Sequence, residues 1–184
     1  MTIRAIIGAI AVLAGYAVLE QSVDASTGQA GSCKSVQAYA LLHRGETLAV
    51  RSQPAPDAPV VGMLNARASG PELQASVVVL NSSQSGWARI YLAQSKDFIA
   101  ADGSAPRQFG WVPADLLTVD ARVDGPITVY DRPGLLGGKI GSIEGEDMKF
   151  RVLGCRGTWL QVVNSSYGNV WIDKWCGREE SCRL

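Results

Sequence analysis

Tryptophan and tyrosine are the residues of this chain best suited to hold a ligand, and the chain has five of each. Their rings offer large apolar faces beside one N–H or O–H group, and paired rings beside a shallow groove suit sugar faces or extended peptides. Tyr130 lies at the mouth of a proline-containing loop and is the strongest single candidate. The predicted ligand-binding residues are Tyr130, Trp159 and Trp175 in the C-terminal half and Arg51, Trp87 and Trp111 in the N-terminal half.

Core packing competes with ligand binding as an explanation for the tryptophans. Trp111 and Trp171 each lie within an aliphatic run, which favours core packing over ligand contact. Trp87 and Trp159 each follow a glycine-containing turn, and for these two residues both interpretations remain open. Tyr167 lies near a predicted loop, where an exposed stacking role is favoured.

Groups that could perform nucleophilic or acid–base catalysis are scarce. His43 is the only histidine, so any Ser–His or Cys–His pair would have to use it. Cys33 precedes it on the same short segment and is better explained as half of a disulfide. Asp97 and Asp102 fall in a polar loop and residues 144–147 in an acidic turn, and carboxylates in such segments are usually solvated. The acidic turn offers too few oxygen ligands for calcium, and nothing in the sequence marks two of these carboxylates as a glycosidase pair. We therefore predict a protein that is not an enzyme and has no catalytic residues, metal or cofactor.

The four cysteines, at positions 33, 155, 176 and 182, predict two disulfide bonds. An even number of cysteines in an exported chain is typical of disulfide pairing. Zinc binding is not favoured, because the chain has no C-x-x-C pair and its one histidine is distant from most of the cysteines. Four cysteines allow three connectivities, and the spacing alone does not choose between them.

Residues 1–25 have the pattern of a secretory signal peptide. An uncharged apolar run from Ala5 to Leu19 follows Arg4, and small residues in Val23–Ala25 predict cleavage before Ser26. The run is short for a membrane-spanning helix, which needs about 20 apolar residues. An uncleaved anchor remains the alternative. We therefore expect a periplasmic or secreted protein that contacts the membrane only if this segment is retained.

The balance of charge argues against several classes of partner. The chain carries 17 basic and 17 acidic side chains, and removal of the predicted signal peptide leaves it nearly neutral. Nucleic-acid binding requires a cationic surface, and no run of basic residues is present. The sequence likewise gives no reason to expect tight binding to anionic lipid.

The segment after residue 26 predicts an all-β protein. Twenty glycines and eight prolines punctuate short runs rich in Val, Ile, Leu and Trp, and no run has a sustained helical period. Short strands separated by turns favour small barrels or a sandwich. The predicted strands are Thr47–Arg51, Val60–Leu64, Ser76–Leu80, Ala88–Leu92, Phe109–Val112, Ile127–Tyr130, Lys139–Ile143, Lys149–Leu153, Trp159–Val163 and Asn169–Ile172.

The two halves of the chain contain an internal repeat. The first half has a V-R-x-x-P segment from Val50, and the second has a V-Y-x-x-P segment from Val129. In both halves a glycine follows the proline at the same distance, so the sequence offset between equivalent residues of the two copies is constant. Each half then has a tryptophan-led strand and a second Trp–aliphatic pair. The two tryptophans of the first half lie twice as far apart in sequence as those of the second, so 94–107 is predicted to be an inserted polar loop.

The order V-R-x-x-P, V-G-x-L, G-W-x-x-I and G-W-V resembles the bacterial SH3-like family and recurs over residues 46–176. The resemblance implies two tandem, five-stranded, partly open barrels, in residues 46–120 and 124–184, after an N-terminal segment at 26–45. The second copy departs from the pattern, with Tyr130 in place of the arginine. The expected buried residues are Val50, Leu64, Val78, Ile90 and Val112 in the first barrel and Val129, Ile143, Val152, Leu160 and Ile172 in the second.

The resemblance also implies a function and a disulfide pairing. Such domains bind peptidoglycan or peptides and are usually not catalytic, so we expect an envelope protein with an aromatic-lined groove. The alternatives are a protein-interaction subunit that binds no glycan and, far less favoured, a small hydrolase using the inserted loop. In an SH3-like barrel Cys155 would approach Cys176, which leaves Cys33 for Cys182. The rival scheme pairs Cys33 with Cys155 and Cys176 with Cys182.

Overall fold

The computed structural model describes residues 31–66, 73–93, 95–104, 107–120, 126–143 and 149–175, without the side chains of 73–75 and 120. The predicted signal peptide, the acidic turn at 144–147, Cys176 and Cys182 lie outside these residues. The described chain is all-β, as predicted, with a single short 3-10 turn at Ala114–Leu116. Its strands are β1 (Gly31–His43), β2 (Thr47–Arg51), β3 (Val60–Asn65), β4 (Leu73–Gln84), β5 (Trp87–Tyr91), β6 (Phe98–Ala100), β7 (Phe109–Pro113), β8 (Leu117–Asp120), β9 (Ile127–Tyr130), β10 (Lys139–Ile143), β11 (Lys149–Arg156), β12 (Trp159–Asn164) and β13 (Gly168–Ile172).

All ten strands predicted from the sequence are present, with bounds that differ by a few residues at most in all but β4. Alternation explains them: in β12 the side chains of Leu160 and Val162 are buried, while those of Trp159 and Gln161 are half-buried on the other face. The ten residues expected in the core are all buried. Period-two patterning therefore identified both the strands and the face that each one buries.

Three strands were not predicted: β1, β6 and β8. The long strand β1 occupies most of the segment expected to precede the fold, and it lies between β4 and β8. Its residues Ala38, Tyr39 and Ala40 are buried in succession, so a central strand covered on both faces lost the alternation that marks the others. The short strand β6 lies within the segment predicted to be a polar loop.

The thirteen strands form one antiparallel sheet in the order β10-β9-β13-β12-β11-β8-β1-β4-β5-β7-β2-β3-β6. We call β2, β3, β4, β5 and β7 the first unit and β9 to β13 the second unit. Strands β8 and β1 connect them, because β8 pairs with β11 and β1 pairs with β4. None of the described residues forms a helix that is long and apolar enough to span a membrane.

Strand pairing is the same in the two units, residue for residue. Each begins with a hairpin (β2–β3 or β9–β10) whose register shifts at equivalent positions of the sequence repeat. Each continues with a three-stranded meander (β4–β5–β7 or β11–β12–β13) in which the first pair carries an equivalent bulge, between residues 80 and 82 or between residues 152 and 154. The matched register pairs are Val50–Gly62 and Val129–Gly141, Arg51–Val60 and Tyr130–Lys139, and Ala88–Val112 and Leu160–Ile172.

The last strand of each unit returns to pair with the first strand. Arg51 is opposite Trp111 in the first unit, and Tyr130 is opposite Trp171 in the second. A β-bulge sharpens the local bend and twist of a strand, and here the bulges fall at matching positions in both units. The internal repeat of the sequence is therefore a repeat of strand pairing within one continuous sheet.

Candidate ligand-binding surface

Two of the predicted binding aromatics meet on the outer face of the second unit. Tyr130 ends β9, and Trp159 begins β12 directly after the β11–β12 turn. The ring centroids of Tyr130 and Trp159 lie 4.9 Å apart at an interplanar angle of 86°, which is the edge-to-face geometry that aromatic pairs prefer. Both side chains are half-buried, so part of each ring remains accessible to a ligand.

Trp171 extends this surface along β13. It lies opposite Tyr130 on one side and Gln161 on the other, so the three side chains share one face of the sheet. Its neighbours in β13, Val170 and Ile172, are fully buried on the other face. The prediction that Trp171 and its counterpart Trp111 pack in the core is wrong, because both are half-buried on the outer face. We call Tyr130, Trp159, Gln161 and Trp171 the aromatic face.

A cleft with a volume of about 810 Å³ opens beside Trp171, where the two units meet. Its second-unit wall includes Arg156, Gln161 and Trp171, and its first-unit wall is the β4–β5 turn at 83–86. The start of β1 contributes Gly31 and its neighbour to the floor between them. This size is ordinary for a small-molecule site, in which a few polar groups fix the orientation of the ligand.

The cleft and the aromatic pair adjoin each other. Tyr130 and Trp159 do not line the cleft, but each is the cross-strand neighbour of a residue that does: Trp171 and Arg156, respectively. Arg156 is the one charged side chain among the cleft residues that the structure describes, and it is exposed. A ligand stacked on the rings would therefore reach a row of neutral polar groups and one guanidinium.

The two units touch at equivalent positions. Ser83 in β4 corresponds to Cys155 in β11, since each lies one residue after the end of the matched bulge. These two equivalent residues contact one another where the two units meet. The backbone N–H of Cys155 donates to Ser83 Oγ at 2.8 Å, and the Ser83 hydroxyl donates to the Cys155 carbonyl at 3.2 Å. The first-unit and second-unit walls of the cleft are thus fixed to each other by paired hydrogen bonds.

The disulfide at this join is Cys33–Cys155, with a Cα–Cα distance of 5.7 Å. The predicted pairs Cys155–Cys176 and Cys33–Cys182 are therefore wrong, and this half of the rival scheme is correct. The prediction treated Cys33 as part of a segment outside the fold, whereas β1 brings it beside the end of β11. There Cys33 forms a parallel bridge with Gly157, and the backbone N–H of Lys34 donates to the Gly157 carbonyl at 2.8 Å.

Arg51, a predicted binding residue, closes its own loop. Its guanidinium donates to the Ala58 carbonyl at 2.7 Å, across the proline-containing segment between β2 and β3. In the second unit Tyr130 holds the equivalent position, and Asp131 closes the corresponding loop by accepting a hydrogen bond from the Gly138 N–H at 2.7 Å. The second unit thus closes its loop with Asp131, and the ring of Tyr130 contacts Trp159 on the outer face.

The outer face of the first unit is built differently from the aromatic face. The guanidinium of Arg89 lies 4.0 Å over the ring of Phe109, and Tyr91 meets the same ring edge-on at 5.4 Å. Trp87 and Trp111 are half-buried on this face, and neither lines the cleft. The cation occupies the position that Gln161 holds in the second unit, so a guanidinium stacked on a ring stands on this face where the second unit has a neutral amide.

Trp175, the remaining predicted binding residue, packs against the hydrophobic core. It follows β13 and is half-buried, and it is not among the cleft residues. The groove predicted from Tyr130, Trp159 and Trp175 is thus represented in the structure by the first two rings together with Trp171.

The one histidine and the cysteine on the same segment, which could have formed a Cys–His pair, are kept apart. Cys33 and His43 lie near opposite ends of β1, which separates them by about 30 Å at the usual rise per strand residue. The hydroxyl and backbone N–H of Ser104 both donate to Asp102, and they hold the pKa of this exposed carboxyl below its ordinary value. A glycosidase general acid needs a raised pKa, the opposite shift. No group of three or more metal-ligating residues occurs in the part of the chain that is described.

No protein-family model matches this chain, and no curated protein matches it at a significant level.

Sequence patterns did not identify Arg156, Gln161 or the β4–β5 turn as neighbours of the aromatic rings. Gln161 alternates with buried residues in β12, so its outward direction was readable, but nothing marked it as a wall of a cleft. The β4–β5 turn reaches the second unit only because β1 and β8 join the two halves, and these strands were not predicted. The internal repeat is the one signal that could have related the two walls.

Proposed function

We propose that the chain is a non-catalytic, exported, SH3-like double-unit protein that binds the glycan of peptidoglycan. The observation that carries the proposal is the edge-to-face pair Tyr130–Trp159, extended by Trp171 into the cleft between the units. Matching registers and bulges in the two units support the internal repeat from which the SH3-like resemblance was argued. The SH3-like assignment itself rests on the sequence motifs.

The chemistry of the aromatic face fits an amino-sugar polymer. Sugar rings present C–H faces that pack on aromatic rings and hydroxyl or amide groups that need hydrogen-bond partners. Gln161 offers both donors and an acceptor beside Trp171, and the β4–β5 turn offers serine hydroxyls. Arg156 would pair with a carboxylate, which peptidoglycan carries on its stem peptides.

The disulfide supports the exported part of the proposal. Disulfides persist in oxidising compartments and are rare in the cytosol. Cys33–Cys155 joins a central strand to the second unit across a sequence separation of 122, so it constrains most of the described chain. The signal-peptide pattern of residues 1–25 agrees with this location, in the periplasm or outside the cell.

Co-sedimentation with purified sacculi tests the proposal. The wild-type protein should pellet with sacculi, and Trp159→Ala should weaken binding by about tenfold or more, since buried aromatic contacts dominate such interfaces. Trp87→Ala is the matched control, because Trp87 holds the equivalent position in the first unit and is not part of the aromatic face. It should leave binding within about twofold of wild type.

Two further variants separate binding from folding. Tyr130→Ala should reduce sacculus binding with little change in melting temperature, whereas Tyr130→Phe should keep the edge-to-face pair and most of the binding. Equal binding by wild type and both alanine variants would overturn the glycan site. Release of soluble sugar fragments from the sacculi by the wild-type protein would overturn the non-catalytic assignment.

A further inference from the structure

The outer edge of the first unit is covered by a strand that the second unit lacks. The insertion after β5 supplies β6, which pairs with β3 through Gly62–Ala100, Met63–Ile99 and Leu64–Phe98. Within the described residues, β10 occupies the position of β3 but pairs only with β9. The first unit thus shows a strand paired along the outer edge of β3, and the second unit presents the equivalent edge of β10 without a described strand beside it.

Hydrogen bonds define the backbone groups that face outward. The N–H of Asn65 donates to the Asp97 carbonyl at 2.9 Å, and the N–H of Ala101 donates to the Val61 carbonyl at 3.0 Å. Because polar groups alternate along a strand, residues 61, 63 and 65 point toward β6. At the offset of the sequence repeat, the counterparts of the first two in β10 are Ile140 and Ser142. These two residues therefore direct their N–H and carbonyl groups away from β9.

The aromatic ring that β6 contributes to the first unit has a counterpart from another strand connection in the second unit. A Cβ placed on Gly62 would meet the ring of Phe98, and a Cβ placed on the equivalent Gly141 would meet the ring of Tyr167. The Asn164 side chain accepts hydrogen bonds from the N–H groups of Ser166 and Tyr167, at 2.9 and 3.1 Å, which fixes the turn that carries this ring. Tyr167 thus fills the space of Phe98, but none of the described residues pairs with the outer backbone edge of β10.

The geometry points to β10 as a docking edge for an extended peptide of a partner protein, which adds as an antiparallel strand in the manner of β6. Exposed strand edges accept peptides through main-chain hydrogen bonds, while side-chain positions select the sequence. The partner segment has a small residue opposite Ile143, where a large ring would collide with Tyr167. On the face of the sheet opposite to that small residue, the partner segment has aliphatic residues.

Exposed apolar side chains beside β10 suit that aliphatic face. Leu135 and Leu136, on the loop that enters β10, are almost fully exposed, and Ile140 is 46% exposed. The loop is held in shape, since the Gly137 N–H donates to the Gly134 carbonyl at 3.0 Å and Asp131 closes it at its base. This site uses the outer edge of β10 and the exposed leucines of its entry loop, and the same loop also contributes Pro133 to the cleft of the proposed glycan site.

Two peptides derived from β6 provide the probe. The first has the sequence SKDAIAA, which is residues 95–101 with alanine in place of Phe98, and the second is the natural SKDFIAA. Each is titrated into isotope-labelled protein, to about 5 mM, since single-strand addition is expected near the millimolar range. SKDAIAA should shift the amide signals of Ile140 and Ser142 and should bind about tenfold more tightly than SKDFIAA.

Variants at the edge and at the ring complete the test. Ser142→Pro removes the outward N–H and should abolish peptide binding while the protein stays folded, because proline is tolerated where a strand N–H faces solvent. Met63→Pro is the matched control, and it should destabilise the first unit, where that N–H faces β6. Tyr167→Ala should remove the preference for SKDAIAA by admitting the phenylalanine ring.

Three results would overturn the proposal. Absence of amide shifts at Ile140 and Ser142 with both peptides would exclude a peptide-accepting edge. Protection of those two amides from hydrogen exchange without peptide, in a monomer, would show that another segment of this chain covers β10. A concentration-dependent dimer that Ser142→Pro dissociates would assign the edge to a second copy of the chain. Because none of these assays uses glycan, their failure is distinct from failure of sacculus binding.

Discussion

The two units of this molecule share a pairing scheme and differ in nearly everything attached to it. Registers and bulges match, yet the loop-closing group is Arg51 in one and Asp131 in the other. After β5 the first unit buries Leu92 and continues into its insertion. At the equivalent position in β12 the second unit buries Asn164, and the chain turns directly into β13. The pairing scheme therefore depends on alternation and bulge positions, while loop chemistry is free to change what each outer face presents.

The two units accordingly differ in the side chains on their outer faces and in the pairing of their outer edges. The first unit has Arg89 stacked on Phe109 on its outer face and β6 paired along its outer edge. The second unit leaves the rings of Tyr130 and Trp171 half-buried and the edge of β10 without a described neighbour. The binding proposals for this chain accordingly both fall on the second unit.

Removing the disulfide should have the largest effect on stability. The double variant Cys33→Ser/Cys155→Ser is expected to lose about 4–5 kcal/mol in the chain-entropy model, because the bond closes a very long loop of the chain. Urea unfolding of oxidised wild type and the variant measures the difference. As a comparison, Ser83→Ala, at the equivalent position in the first unit, should lose only about 1–2 kcal/mol from its hydrogen bonds. A change below that of Ser83→Ala would contradict the role given to the disulfide.

Cavity formation in the second unit comes next. Phe150 is fully buried, and Phe150→Ala should lower the free energy of unfolding by about 3–4 kcal/mol. Its counterpart in the first unit is the smaller Val78, for which Val78→Ala should cost about 1–2 kcal/mol, near the transfer value of the methyl groups removed. Equal losses of unfolding free energy in chemical denaturation would contradict this difference and show that the two residues do not lie in equivalent environments.

Strand existence and core faces were predictable from the sequence, whereas the join between the units was not. Alternation is a local signal, and it identified residues such as Val50 and Val129 before any contact was known. The strand β1 lacks that signal at Ala38–Ala40 because both of its faces are covered. Missing β1 also led to the wrong partner for Cys33. Of the aromatic face, Tyr130 and Trp159 were predicted, but Trp171 was assigned to the core because aliphatic residues flank it on both sides.

The tight turn of the second unit should depend on Asn164. In Asn164→Ala two backbone N–H groups lose their acceptor in a partly buried turn, and about 1–3 kcal/mol of stability should be lost. Asn164→Leu copies the residue of the first unit without its insertion, so it should be no more stable than the alanine variant. Thermal unfolding of the three proteins decides this, and wild-type stability in Asn164→Leu would contradict the role given to the amide.

The smallest expected effect concerns the two hairpin turns beside the cleft. Ser85 has a φ of 49°, and its counterpart Gly157 has a φ of 58°. Ser85→Gly should raise the free energy of unfolding by up to about 1 kcal/mol, and Gly157→Ser should lower it by a similar amount, because a left-handed backbone strains residues with a Cβ. Changes of the same sign in the two variants would show that the turns are not equivalent.

The most direct test of the glycan-binding account is a titration of isotope-labelled protein with a soluble disaccharide–peptide fragment of peptidoglycan. Signals of the Trp159 and Trp171 indole N–H groups and of the Gln161 side-chain amide should shift together, with a single dissociation constant. The equivalent signals of Trp87 and Trp111 should stay in place. Shifts confined to the first unit, or no shifts in either unit at saturating fragment concentrations, would contradict the assignment of the aromatic face as the binding surface.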